Sequence, residues 1–400
     1  MTAITTDTDA GSNRLPYWFS AGHLCIDWPF GAMYLLVPAA GVYFGWSPAQ
    51  VGLILTLQSV GAAFAYLPAG LMMDRLSERG RWLAATFFWV VLGYLLASYA
   101  GSFWPLAMLM AFASLGDAAW HPMATGILVK MHPHQRGRVL GIHAIGGTLT
   151  GVFSPLVAGS LLEFMDWRGA MQLVVIPTAI MGFVFLLYVA KRIPRVEVAH
   201  ADRPNLKLLL RQWGTPIGAT IAVTMMLYNL GLIGATAMAP LYLRDAVGLD
   251  IFHVGLAFSG AVLVGALIQP YVGRLSDDIG RWPVIVIGAL LGAGGAMMLI
   301  QSSDLIFALI GLAGCIGALN AVRSCVLACA VDMSGKSEAT TLGIAFAVLD
   351  GVGAFGAVMA GWLGTEDISR AFILTLGCSS AAAILSLILA RISHKAAIGR

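Results

Sequence analysis

Charge is scarce in this sequence. Asp, Glu, Lys and Arg make up 11% of its 400 residues, against about 25% in ordinary soluble domains. Because 59% of the residues are apolar, a water-soluble fold of this length has too few charged groups to cover its outside. The combination excludes a cytosolic enzyme, a disordered chain and a disulfide-stapled secreted module. Cysteine is also sparse. Cys25, Cys315, Cys325, Cys329 and Cys378 all lie in apolar stretches without CxxC spacing, so they read as packing residues. The sequence has no GxxxxGKS/T phosphate loop, no HExxH and no GxSxG, which removes the usual signatures of ATP hydrolysis, zinc peptidases and serine hydrolases. A formal net charge of +3 gives no pull toward nucleic acid, and no cofactor or metal is expected. The polar residues 1–15 lack the basic, apolar, small-residue order of a removable signal peptide. They are expected to remain as a disordered cytoplasmic segment.

What the sequence has in place of charge is long apolar runs. A bilayer crossing needs about 20 residues. Twelve runs of that order follow one another, at roughly 16–42, 49–73, 82–101, 103–130, 138–164, 169–190, 214–243, 250–273, 282–301, 304–331, 338–364 and 368–391. They are too long for barrel strands and lack period-two alternation, so they read as helices. The 47 glycines suit close helix packing in lipid. With both termini cytoplasmic, 19 of the 23 basic residues fall on the cytoplasmic side, and only Arg168, Arg244 and Arg370 fall outside. Arg323 sits within a span. That asymmetry is the positive-inside pattern.

The chain also repeats itself. Gly141, Ile142, Gly151, Phe153, Ala158 and Gly159 recur as Gly343, Ile344, Gly353, Phe355, Ala360 and Gly361, at a shared offset of 202 residues. Pro38 matches Pro240 at the same offset. The segment holding six spans is therefore duplicated in the same orientation. The reading is a six-helix bundle over 16–190, a basic cytoplasmic linker over 191–213, a second bundle over 214–391 and a tail over 392–400.

Two loops then stand out. After the second span come Gly70, Asp74, Arg75, Glu78, Arg79, Gly80 and Arg81. After the eighth come Gly273, Asp277, Asp278, Gly280 and Arg281. This pair resembles the major facilitator superfamily, whose signature there is G-x-x-x-D-R/K-x-G-R. Ser77 replaces a glycine in the first loop, and Asp278 replaces a base in the second. The resemblance covers about residues 16–391. It implies an all-α membrane protein with twelve transmembrane helices in two pseudo-symmetric six-helix bundles, usually a monomer. It also implies that Gly70, Asp74, Arg75, Gly80, Arg81, Gly273, Asp277, Gly280 and Arg281 form a cytoplasmic latch. A narrower resemblance joins His23 and Asp27, Trp120-His121-Pro122 with Ala124, and Gly146, Gly147, Gly151 and Pro155 to the fosmidomycin-resistance branch, with Trp120 in place of a phenylalanine. It implies proton-coupled export.

Ionisable side chains at membrane depth are costly and are functional candidates by default. Here they are His23, Asp27, Asp117, His121, Arg323 and Asp350, with His143 nearer an edge. His23 and Asp27 are four residues apart and share a helix face, as do Asp117 and His121. At 1.5 Å per residue, Asp27 and Asp117 lie about 16 and 20 Å from the cytoplasmic end, so the four groups form one layer near the midplane. They are the proton-coupling candidates; a buried His–Asp network that only packs two helices is the structural alternative. Arg323, Asn229, Tyr228, Asn320, Trp28, Trp120 and Asp350 are the substrate-cavity candidates, with an Arg323–Asp350 ion pair as the alternative role for those two. Gly147, Gly151, Pro155 and Gly159, spaced by four and joined by Gly146, form an antiporter-like small-residue stripe on the fifth helix. The expected function is secondary transport of a small organic solute by alternating access, as proton-coupled export. Uptake of a small organic anion on the same fold is the alternative.

Overall fold

The structure is a computed structural model that describes residues 14–73, 76–132, 134–195, 213–332 and 347–398. The first thirteen residues, most of the expected linker, and Asp74 with Arg75 lie outside these. The described chain is helical almost throughout, with no strand among the described residues. Among the described residues, eleven helices are long and apolar enough to cross a membrane. They are α1 (Leu15–Phe44), α2 (Pro48–Met73), α3 (Arg79–Ser98), α4 (Phe103–Met131), α5 (Arg136–Leu162), α6 (Trp167–Arg192), α7 (Pro216–Asp245), α8 (Ile251–Ile279), α9 (Arg281–Gln301), α10 (Leu305–Cys329) and α12 (Phe372–Ile398). The remaining helix, α11, is described from the π-helical turn Ala347–Val352 through Phe355–Leu363.

Local chemistry sets the helix ends. Short connections make successive helices antiparallel, so the molecule has a proximal side, where α1 begins, and a distal side, where α1 ends. Most distal turns carry side-chain caps that satisfy orphan N–H groups. Ser47 and Gln50 form a reciprocal capping box at 3.3 and 3.0 Å. Asp166, Asp250, Asp304 and Asp367 accept from Gly169, His253, Ile306 and Ser369. Gly45, at φ +70°, ends α1 in the left-handed conformation that favours glycine.

Large apolar side chains cover the outside, as a lipid solvent requires: Phe64 and Trp362 are each 72% exposed. Contacts between the two halves are mediated by small residues and gather toward the distal ends. In α2, Gly52 lies against the Ala357 carbonyl of α11, and Gly361 of α11 lies against the Pro48 carbonyl. Thr56 bridges the same pair, donating to Ala354 O at 2.8 Å and accepting from Val358 N at 3.2 Å. On the other flank a Cβ on Gly159 of α5 would stand 3.1 Å from Ile251 O and 3.2 Å from Gly255 Cα of α8. These two seams close the distal side.

Candidate functional site

The centre of the first bundle is organised by a break in α1. Its two segments, Leu15–Ile26 and Trp28–Phe44, meet at Asp27. Pro29 has no N–H to offer the Cys25 carbonyl one turn back. Thr178 of α6 supplies the missing donor, at 2.6 Å from Cys25 O. From α5, Thr150 donates to Leu24 O at 2.8 Å, and Ser154 donates to Trp28 O. Three hydroxyls from two helices thus hold the break that presents Asp27.

Four of the sequence candidates meet there. His23 Nε2 lies 3.2 Å from Asp27 Oδ2. His121 Nε2 lies 3.3 Å from Asp27 Oδ1, at ion-pair distance but without hydrogen-bond alignment. The same nitrogen is 4.0 Å from Asp117 Oδ2. The side chains of Asp27 and His121 each keep 23% of their surface accessible, whereas Asp117 keeps 7%. The first two therefore stay partly accessible, and Asp117 is buried.

Hydrogen-bond valence fixes one proton in this group. His23 Nδ1 lies 2.9 Å from the His143 carbonyl. A carbonyl only accepts, so this nitrogen carries hydrogen. The opposite nitrogen faces a carboxyl group. Either the imidazolium donates to a carboxylate, or a neutral imidazole accepts from a protonated acid. In both cases one proton lies between His23 and Asp27.

Sequence reasoning placed His143 near an edge; the structure places it inside the cluster. Its ring stacks on His23 at 4.3 Å between centroids and on Trp120 at 5.3 Å. Gln58 of α2 and Tyr94 of α3, joined at 3.0 Å, were also missed. Tyr94 lies within electrostatic reach of Asp117. The signal for His143 was present: it precedes Gly147 by one turn, and Gly147 packs on the His23 ring, where a Cβ would come within 2.7 Å. Nothing in the local sequence singles out Gln58 or Tyr94.

Trp120 borders the cluster, fully buried between Phe19, Phe87 and the rings of His23 and His143. The other candidates are dispersed. Trp28 is half-buried against the core of the first bundle. In the second bundle Tyr228 and Asn229 are fully buried. Tyr228 Oη donates to Leu319 O at 2.6 Å, and Asn229 Nδ2 donates to Leu349 O. In this conformation both tie α7 to its neighbours. Asn320 donates to Ile316 O at 2.9 Å, just after the π-helical turn Ala313–Ala318. Such turns mark functional sites frequently. Arg323 is half-buried one turn further on. Asp350 lies in the π-helical turn of α11, and its side chain is outside the described residues.

The small-residue stripe of α5 serves two partners. Gly146 and Gly147 pack on α1 of the same half, against Ser20 O and His23. Gly151 and Gly159 face α8 of the other half, as does the Pro155 carbonyl, which Gly255 approaches. In the loops, Arg81 pairs with Glu78 at 2.6 Å, and Arg195 reaches the same carboxylate at 2.6 Å. Gly80 packs against Ala190. Asp277 pairs with Arg281 at 3.1 Å. Gly280 has φ +92°, and a Cβ on Gly70 or Gly273 would meet Pro122 Cβ at 3.6 Å or Ser324 Oγ at 3.9 Å, ordinary contact distances. These loop ion pairs stay within their own halves in this state. Asp74 and Arg75 lie outside the described residues.

Fold and sequence now agree on a class: a multi-pass membrane transporter with paired six-helix bundles. The profile of the Major Facilitator Superfamily matches residues 19–357. The chain belongs to the major facilitator superfamily. It is 26% identical over 261 residues to a probable 4-methylmuconolactone transporter of Cupriavidus pinatubonensis, covering 63% of this chain and 60% of that relative. It is 24% identical over 305 residues to a probable L-galactonate transporter of Escherichia coli, covering 67% and 65%. A putative metabolite transport protein of Haemophilus influenzae is 23% identical over 336 residues, covering 79% and 80%. Among solved structures, a mutant of the nucleoside transporter NupG superposes with a TM-score of 0.79 at 14% identity, covering 94% of this chain and 99% of that one. An inward-facing bacterial homologue of the lysosomal transporter Spinster gives 0.74 at 15% identity, covering 95% of each.

Proposed function

We propose that this protein carries a small organic solute by alternating access, using the proton shared by His23 and Asp27 as the coupling ion. The observation that carries the reading is Asp27 at a break in α1, in contact with His23 of its own helix and His121 of α4. Asp117, held behind His121, is the second proton site. Imidazoles change charge near neutral pH, and Asp27 and His121 keep part of their surface accessible. With the termini cytoplasmic, the closed distal seams correspond to an inward-facing state. The loop pairs at Glu78 and Asp277 then belong to a latch that engages the opposite half in the outward-facing state. The working unit is a monomer in the cell membrane.

The direction proposed is export, because His23, Asp27, Trp120-His121-Pro122 and the α5 glycines follow the drug–proton antiporter pattern of the fosmidomycin-resistance branch. Uptake of a small organic anion is the second reading. It is favoured by the relatives named for L-galactonate and 4-methylmuconolactone, and Arg323 on α10 is its anion contact. The test is accumulation of labelled aldonates, lactones and phosphonates in cells, with and without an uncoupler. Export predicts that accumulation rises on uncoupling. A fall assigns uptake, and no response to the uncoupler rejects proton coupling in both readings.

A further inference from the structure

Three imidazoles and two carboxylates from α1, α4 and α5 gather in the first bundle. One ring nitrogen each of His23, His121 and His143 lies within 4.8 Å of the other two, and the same holds for donor atoms of Asp27, Asp117 and His121. We propose that this cluster binds one divalent transition-metal ion, such as zinc, through His121 Nε2 and the carboxylates of Asp27 and Asp117. The inference uses side chains that also serve the coupling reading, but it does not depend on that reading.

Four observations carry it. The first is spacing. Two donors about 2.1 Å from a tetrahedral ion lie about 3.4 Å apart. The His121 Nε2–Asp27 Oδ1 separation, 3.3 Å, already matches that edge, and His121–Asp117 at 4.0 Å needs only a small side-chain rotation. The second is the outer shell. A ligating carboxylate is in turn hydrogen-bonded by a neighbour. His23 Nε2, 3.2 Å from Asp27 Oδ2, is that neighbour and leaves Oδ1 for the ion. The third is unmet valence. Asp117 is 5% exposed, and its Oδ1 has no hydrogen-bond partner among the described residues. A buried carboxylate oxygen in that position calls for a cation or a donor. The fourth is charge. Two carboxylates and one neutral imidazole balance a divalent ion, so the ion and its three ligands are together electrically neutral. The mixed nitrogen and oxygen set suits zinc, cobalt or nickel better than magnesium or copper(I).

The full-length protein, purified in detergent and stripped of metal, is titrated with zinc against a chromophoric chelator, and the loaded protein is examined by zinc X-ray absorption. A His253→Gln background removes the exposed Asp250–His253 pair, the main rival on the surface. The expected result is one zinc per chain with a nitrogen and oxygen shell at about 2.0–2.1 Å, and binding weakened about tenfold or more by His121→Gln or Asp117→Asn. A sulfur shell at about 2.3 Å would assign the metal to Cys325 and Cys329 and overturn the proposal. So would zinc affinity unchanged in both folded variants, or no bound zinc in the parent. The absorption spectrum of the parent decides the matter even if a variant does not fold. Zinc bound in this shell by a protein that ignores pH gradients overturns the coupling reading alone. Coupled transport without this shell overturns the metal site alone.

Discussion

His121 of α4 brings its Nε2 to 3.3 Å from Oδ1 of Asp27 on α1, so two helices of one half meet through a single carboxylate. Glutamine at position 121 keeps a donor of similar reach but carries no exchangeable charge. In His121→Gln, solute counterflow, which needs no net proton movement, should persist. Gradient-driven accumulation should fall by about 5–150-fold, the usual range for a coupling free energy of about 1–3 kcal/mol. Equal losses in both assays would make His121 a packing residue.

Closure of the distal side rests on contacts that leave no room for a side chain. A Cβ on Gly159 would meet Ile251 O at 3.1 Å and Gly255 Cα at 3.2 Å across the seam. Gly159→Leu is expected to hold the distal side open and to stop transport while the bundles still fold. Spin labels at Phe164 and Asp250 report the separation of the α5 and α8 ends. The distance distribution should move outward in the variant, and an unchanged distribution would contradict the account.

The break at Asp27 depends on Thr178. In Thr178→Val the Cys25 carbonyl loses its donor in a buried setting, at a cost of about 1–3 kcal/mol. Thermal unfolding in detergent should show that loss. Restoration by Thr178→Ser would assign it to the hydroxyl and not to packing.

Outside the membrane, Asp250 caps α8. The backbone N–H of His253, followed by its side chain, holds the Asp250 carboxyl below its ordinary range. A lowered folded-state value means the stabilisation is complete above the unfolded value near pH 4 and is lost as pH falls through the folded value. Asp250→Ala should therefore lower the melting temperature at pH 6, with a difference that shrinks in more acidic buffer. A gap that grew on acidification would contradict the assignment.

The fold was legible because lipid imposes its rule on every residue of a span. Apolar run length, the basic-residue asymmetry and the shared offset of Gly141, Gly151 and Gly159 with Gly343, Gly353 and Gly361 each report that rule directly. The pairing of His23 with Asp27 and of Asp117 with His121 was legible too, since residues four apart share a helix face. The contacts of His143, Gln58, Tyr94 and Thr178 were not, because they depend on which helix faces which, and no local period carries that. Tyr228 and Asn229 show the converse. Their polarity marks them in the sequence, yet their donors bind the carbonyls of Leu319 and Leu349. A buried polar group within a span must be satisfied whether or not it touches solute.

The most direct measurement uses Asp27→Asn in proteoliposomes under an imposed pH gradient, with proton flux and labelled solute followed together. The account predicts that the inserted, folded variant moves no protons with solute and accumulates none against its gradient. Proton-coupled accumulation at the rate of the parent protein would contradict it.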